Sequence, residues 1–315
     1  MWRISRKEQW RTTRLHSGMA SSLPDPQTSK PAYQILGHGE LAIVLLTGLG
    51  VPAQWWHTLG NDEELILSLI RRETWDDQPF LAPALAQAAT VVTYDRAGLQ
   101  EDRPARNVRG LDDLVQELSE VVESAAVRTP LVLVAHSLGG LIALEYAQRH
   151  RQRVAGLVLI DSSHPDQLAH FEGGANAEQR QVEQEQRREA ATDHPERPDL
   201  EQLLGQGDDA ARPGLLGDLP LLVLTRGAKA WADVTSPAAH MTADYWQHRE
   251  QTWQALQRGL VSLSSRGRQQ SFPESGHYIY LDEPVWVLEA IRAFLDELPE
   301  TLKPDEGITP FLPQP

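Results

Sequence analysis

The sequence predicts an α/β protein with a mostly parallel, doubly wound sheet and helices on both faces. Five short runs rich in Val, Leu and Ile recur along the chain, at 42–46, 90–94, 131–135, 156–160 and 221–225. They lack clean alternation of apolar and polar residues, which is typical of strands buried on both faces of a parallel sheet. Helix-like segments lie between or after them, and this alternation is typical of doubly wound sheets.

The helices are predicted from spacing. In 111–122 the apolar residues recur three or four positions apart, and Asp112 and Asp113 fall in the first turn, where carboxylates favour the helix dipole. Further helices are expected at 138–150, 245–256 and 284–298. Ligands of such sheets bind outside the carboxyl ends of the strands. The residues that follow each run should therefore face one crevice.

The alternation of predicted strands and helices, and the places where it is interrupted, also predict the domain organisation. Residues 162–219 separate two strands by more than one crossover helix, so we expect a lid over the crevice, with a disordered insertion as the alternative. The basic first segment, residues 1–18, is expected to be a disordered tail or sequence upstream of a true start at Met19, with a weak targeting signal as the alternative. The predicted boundaries are 1–30 for the N-terminal tail, 31–161 and 220–300 for the core, 162–219 for the lid, and 301–315 for the C-terminal tail.

The amino-acid composition disfavours some classes of binding partner and some kinds of site. The 315 residues include 29 Lys and Arg against 44 Asp and Glu, a net charge of −15, which disfavours nucleic acid. There are no cysteines, so disulfides, thiolate nucleophiles and Cys-ligated zinc are excluded. No run approaches the roughly 18 apolar residues of a membrane span. We expect a cytoplasmic protein with a small-molecule substrate, and the oligomeric state stays open.

The stretch Ala135-His136-Ser137-Leu138-Gly139 carries the strongest chemical signal. It matches the G-x-S-x-G turn that exposes a nucleophilic serine, with Ala in place of the first Gly. The turn needs small residues two positions before and after the serine. The strand-like LVLVA precedes it and the helix-like LIALEYAQRH follows it, which is the context that this turn requires.

Four motifs together resemble those of the α/β-hydrolase superfamily, in the order in which that family carries them. They are LLTGLG, VVTYDRAGLQEDR, VAHSLGG and SGHYIYLDEP, and the resemblance runs from about residue 35 to 298. It implies that Ser137 is the nucleophile and His277 its base. It also implies an oxyanion hole made of the backbone N–H groups of Leu49 and Leu138. Thr47 stands where the family usually has a histidine.

The acid of the triad departs from the family pattern. The family usually places Asp or Glu just after the strand 221–225, where this chain has Ala228, Lys229 and Ala230. One branch of the haloalkane dehalogenases instead uses a carboxylate at the end of the preceding strand. Asp161 occupies that place and is our preferred acid. Asp233, the first carboxylate after Gly227, is the alternative.

Other candidates have both structural and functional interpretations. Trp55 either forms a wall of an acyl pocket or packs the adjoining insertion. His136 is expected to be a packing and hydrogen-bonding neighbour of the turn that also lines the pocket. His164 either lines the crevice or caps a lid helix. Asp95 and Arg96 are expected to form an ion pair or to support a turn.

The residue types favour acyl chemistry. Serine, not aspartate, at the turn disfavours dehalogenases and epoxide hydrolases of this fold. No metal-ligand spacing or nucleotide-binding glycine pattern is present, so neither a metal nor a cofactor is expected. The prediction is a carboxylesterase-like serine hydrolase acting on an ester, thioester or lactone through an acyl-enzyme. The alternatives are a catalytically silent binding protein, a cofactor-free perhydrolase and a carbon–carbon bond hydrolase.

Overall fold

A seven-stranded sheet forms the centre of the described chain. The computed structural model describes residues 31–75, 77–100, 102–228 and 242–299. The strands are β1 (Tyr33–Leu36), β2 (Ala42–Leu46), β3 (Thr90–Tyr94), β4 (Leu131–His136), β5 (Val154–Ile160), β6 (Leu221–Arg226) and β7 (Gly267–Phe272). Their order is β1-β3-β2-β4-β5-β6-β7. Only the β1–β3 pair is antiparallel among these strands, which confirms the mostly parallel sheet.

How deeply each strand is buried explains whether its sequence predicted it. Every residue of β2, β4, β5 and β6 is buried, as expected for central strands covered on both faces. The two edge strands were not predicted. β1 reads YQIL and β7 reads GRQQSF, and both are mostly half-buried or exposed. Their sequences therefore contain no continuous apolar run.

Helices cover both faces of the sheet. They are α1 (Glu63–Leu69), α2 (Leu81–Leu85), α3 (Leu111–Ser124), α4 (Leu138–Arg149), α5 (Gln167–Glu172), α6 (Ala177–Asp193), α7 (Leu200–Leu204), α8 (Ala243–Val261), α9 (Ile279–Asp282) and α10 (Pro284–Asp296). Ile43 and Leu45 of β2 join the core with α2 and α10, whereas Val44 and Leu46 join the core with α3 and α4. Within the described ranges, no helix combines the length and apolar content needed to cross a membrane.

Residues 162–219, which we call the cap segment, contain α5, α6 and α7. Asn176 begins α6 with a capping box, because it accepts from the Gln179 amide and Gln179 accepts in return. The chain then docks on the body of the molecule. The Arg109 amide donates to the Arg197 carbonyl at 2.8 Å and the Arg109 carbonyl accepts from the Asp199 amide at 2.9 Å. Whether the cap segment opens and closes over the crevice stays a prediction.

Candidate active site

Ser137 lies on a sharp turn between β4 and α4. Its φ is 53° and its ψ is −121°, a backbone conformation that non-glycine residues rarely adopt. The turn presses against the end of β2. A Cβ atom on Gly139 would lie 2.7 Å from the Thr47 carbonyl oxygen and 2.8 Å from that of Leu46. This close approach is the physical reason for a glycine two positions after the serine.

His277 lies in the loop between β7 and α9, beside this turn. Its carbonyl oxygen is 3.0 Å from His136 Nε2, and the two imidazole centroids are 4.4 Å apart. A carbonyl only accepts, so His136 Nε2 carries the proton. Burial lowers the pKa of His136 to about 3, so this ring is neutral at pH 7. The Gly276 amide donates to Asp282 Oδ2 at 2.6 Å and fixes the loop.

Asp161 follows β5 and is completely buried. Its Oδ2 lies 2.5 Å from His277 Nδ1, while its Oδ1 accepts from Trp253 Nε1 at 2.8 Å. Arg226 Nε is 3.2 Å from Oδ2. The structure thus brings the preferred acid and the expected base into contact. Asp233, the alternative, lies outside the described residues.

Burial and charge act on this pair in opposite directions. Burial raises the pKa of Asp161 to about 7, and the Arg226 guanidinium and the Trp253 N–H oppose that rise. Burial also lowers the pKa of His277 well below its usual value. The imidazole is therefore neutral at pH 7, and an ionised Asp161 carboxylate accepts from its Nδ1–H. Its Nε2 is then free of a proton, as a general base requires.

His277 lies beside His136, the residue that precedes Ser137, with ring centroids 4.4 Å apart. Among the described residues, no hydrogen bond joins Ser137 Oγ to His277. Hydrogen bonds to a catalytic base are often long without a bound substrate. The contact between Asp161 and His277 is therefore formed in this structure, and the contact to the serine is not.

The turn 47–50, which we call the oxyanion turn, packs directly against Ser137. A Cβ atom on Gly48 would lie 3.1 Å from Ser137 Cβ. In the described part of the chain the Leu49 amide has no backbone or side-chain acceptor. Leu138 is the first residue of α4, where amides have no intrahelical acceptor. The two expected donors therefore flank the serine from two different strand ends.

A profile of the Alpha/beta hydrolase family matches residues 43–290. The chain belongs to this family. Its sequence is also similar to the uncharacterized protein YqjL of Bacillus subtilis, with 30% identity over 212 residues that cover 67% of this chain and 74% of that protein.

Solved structures share the fold of this alpha/beta hydrolase family member. The structure of the putative non-heme bromoperoxidase BpoC from Mycobacterium tuberculosis has a TM-score of 0.54 at 17% identity, covering 85% of this chain and 96% of that one. A thermophilic esterase from Thermogutta terrifontis has a TM-score of 0.50 at 20% identity, covering 84% and 93%. At such identities the likeness shows the fold alone.

The structure gives Arg96 of this family member a supporting role, with a partner that the sequence did not indicate. Its guanidinium donates to the carbonyl oxygens of Thr47 and Gly48, at 2.8 Å and 2.6 Å. Its ion-pair partner is Glu196 of the cap segment. Asp95 instead accepts from the Ala53 amide at 2.6 Å.

Two other candidates are engaged in packing. Trp55 is buried, donates to Asp62 Oδ2 at 3.0 Å, and places its ring centroid 5.5 Å from that of Tyr278. His164 is buried and its Nδ1 accepts from the Asp166 amide at 3.1 Å, at the start of α5. These contacts match the packing and capping interpretations. A role in a substrate pocket stays a prediction for both.

Within the described ranges, one group of side chains has ligand atoms close enough together to hold a metal ion. Asp166, His170 and Asp208 bring one such atom each to within 4.8 Å of the others. His170 and Asp208 are exposed, and all three lie on the cap segment. The group does not include Ser137, Asp161 or His277.

Four residues that contact the site or the side chains supporting it were not found from the sequence. They are Arg226, Trp253, Glu250 and Glu196. Arg226 ends the run LLVLTR, and a charged residue at the end of a buried strand was an available signal. Trp253 and Glu250 lie on α8, where nothing local shows that they reach β5 and β6. Glu196 lies 100 positions from Arg96 along the chain, so no sequence spacing indicates the pair.

Proposed function

We propose that this protein is a carboxylesterase-like serine hydrolase that acts on a small-molecule ester, thioester or lactone through an acyl-enzyme. The observation that carries the proposal is the 2.5 Å contact between Asp161 Oδ2 and His277 Nδ1 beside the strained turn at Ser137. A nucleophilic serine needs a neutral base and an acid that fixes the tautomer of that base. The arrangement supplies both.

In the proposed reaction, Ser137 Oγ attacks the substrate carbonyl carbon while His277 Nε2 takes the hydroxyl proton. The amides of Leu49 and Leu138 stabilise the oxyanion. His277 then returns the proton to the leaving alcohol or thiol, and the acyl group stays on Ser137. Water, activated by the same imidazole, hydrolyses the acyl-enzyme and restores the serine.

A panel of p-nitrophenyl esters of increasing acyl length tests the nucleophile. We expect Ser137→Ala to lose at least about 1000-fold in kcat, because no hydroxyl remains to form the acyl-enzyme. A fluorophosphonate probe should label the wild type and not this variant. Ser162→Ala is the matched control, since Ser162 Oγ donates to the Ser163 carbonyl, at 2.8 Å.

Hydrolysis that survives in Ser137→Ala would disprove the nucleophile. A wild type that neither hydrolyses the panel nor reacts with the probe would favour a binding protein. Labelling without ester turnover would favour the perhydrolase or carbon–carbon bond alternatives, which share these residues.

The acid is tested by comparing Asp161→Asn with Asp233→Asn on the best ester. An amide at 161 cannot hold His277 in the tautomer with Nε2 unprotonated, so kcat should fall by about 1000-fold or more. Asp233→Asn is the matched control and should keep kcat within a few-fold of wild type. The reverse outcome, with only Asp233→Asn impaired, would show that Asp161 has a structural role.

A further inference from the structure

Glu196 is a cap-segment carboxylate buried against the oxyanion turn. It is 1% exposed, and so is its partner Arg96. Glu196 Oε1 accepts from the Gly50 amide at 2.6 Å and Oε2 accepts from Arg96 Nε at 2.5 Å. One side chain of the cap segment therefore contacts both the turn itself and the guanidinium that supports it.

The Arg96 guanidinium and the Glu196 carboxylate together form hydrogen bonds to the backbone of the turn. The guanidinium donates to the Thr47 and Gly48 carbonyls, and Glu196 holds the Gly50 amide two residues further on. The turn is thus held on both sides of Leu49, the residue whose amide is the proposed oxyanion donor. Burial favours the neutral acid, but Arg96 outweighs it and leaves the pKa of Glu196 below its usual value. The pair is consequently ionised and has no net charge.

The cap segment packs closely against the core at this point. Gly98, which follows β3 and has a φ of +98°, lies directly beneath it, and a Cβ there would be 2.2 Å from the Pro195 carbonyl oxygen. The adjoining backbone pairs with Arg109 on both sides, through the Arg197 carbonyl and the Asp199 amide. The Glu196 carboxylate therefore lies against the turn on a segment that is itself docked on the core.

We propose that Glu196 is a positioning residue that the cap segment supplies to the catalytic centre. Together with Arg96, it holds the oxyanion turn so that the Leu49 amide points at the developing oxyanion. The inference rests on the proposed function and adds to it. The cap segment is then required for the chemical step, in addition to any part it has in substrate selection. Displacement of an oxyanion donor impairs the transition state more than the bound substrate.

The test uses the full chain and the isosteric variant Glu196→Gln, with Glu196→Asp as a charge-retaining variant of shorter reach. Glu201→Gln is the matched control, because Glu201 is also on the cap segment and pairs with Arg187, but is half exposed. The readouts are kcat and KM on a p-nitrophenyl ester per fluorophosphonate-labelled site, and affinity for a phenylboronic acid, a tetrahedral mimic. Amide hydrogen exchange over residues 47–51 is measured on the same samples.

We expect Glu196→Gln to lower kcat by about 10- to 100-fold with little change in KM, since small misplacements of catalytic groups have effects of this size. Boronic acid affinity should fall by a similar factor, and exchange over 47–51 should accelerate. Glu196→Asp should lie between Glu196→Gln and wild type, and Glu201→Gln should match wild type. A merely structural role would reduce the number of labelled sites and leave kcat per site unchanged.

The inference is overturned if exchange over 47–51 in Glu196→Gln equals that in Glu201→Gln. It is also overturned if exchange rises while kcat per labelled site and boronic acid affinity stay at wild-type values. A wild type that hydrolyses and labels nothing would instead refute the proposed function. The exchange comparison would still decide whether Glu196 holds the turn.

Discussion

Asp161 shares its carboxylate among donors from three separate parts of the chain. His277 comes from the loop after β7, Trp253 from α8 and Arg226 from the end of β6. A buried carboxylate favours its neutral form, and Arg226 is the adjacent positive charge that opposes this. Arg226 also pairs with Glu250, whose negative charge acts on Asp161 in the opposite direction.

These opposed charges predict opposite shifts in the pH dependence of activity. The proposed triad needs ionised Asp161. Arg226→Gln removes the charge that lowers the Asp161 pKa, so the acidic limb of kcat/KM should move to higher pH by about one unit or more. Glu250→Gln removes a charge that raises this pKa, so the limb should move to lower pH. The measurement is kcat/KM between roughly pH 5 and pH 9, which brackets the Asp161 pKa of about 7.

The two variants control for each other, because each breaks the same Arg226–Glu250 ion pair. A loss of activity caused only by reduced stability of the fold would move both pH profiles in the same direction or change only their height. Shifts of the same sign would therefore contradict the assignment of charge effects to Asp161.

At the scale of elements, the strand-to-helix connection at Ser137 depends on how closely α4 approaches β2. Gly139 leaves no room for a side chain, because a Cβ atom there would lie within 2.8 Å of the backbone oxygens of Thr47 and Leu46. Backbone atoms at the end of a central strand cannot rotate away as a flexible side chain can. The small residue predicted from the motif thus has a steric cause.

Gly139→Ala should lower the free energy of unfolding by about 1–3 kcal/mol, the usual result of overpacking. Gly259→Ala is the matched control in α8, where the nearest atom to a Cβ would be His164 Nε2 at 3.8 Å. There the gain in helix propensity should stabilise the protein by about 0.5–1 kcal/mol. Urea unfolding of both variants checks the pair. Equal stabilities would show that the approach of α4 to β2 is not tight.

The limits of sequence prediction also follow from the elements. The five inner strands β2 to β6 and α3, α4, α8 and α10 were predictable, because burial on both faces or one helical stripe leaves a local pattern. β1 and β7 have partners on one side only, so their sequences are polar and short of apolar runs. The short helices α2, α7 and α9 have five residues or fewer, too few to show a helical period.

For the molecule as a whole, the sequence could not show which residues far apart along the chain contact each other. The turn at Ser137 and the loop at His277 carry recognisable motifs, and Asp161 ends a visible strand. By contrast, Trp253 reaches Asp161 from 92 positions away, and Glu196 reaches Arg96 from 100 positions away. Neither distance corresponds to a helical or strand period, so only the folded arrangement reveals these partners.

The ion pair between Arg96 and Glu196 has a consequence for recombination within the family. A cap taken from a relative that lacks a carboxylate at position 196 would remove the acceptor of the Gly50 amide. It would leave the Arg96 guanidinium buried without its carboxylate, a costly state for a charged group. If Glu196 positions the oxyanion turn as proposed, we expect a functional chimera to need a carboxylate at position 196 together with the arginine at position 96.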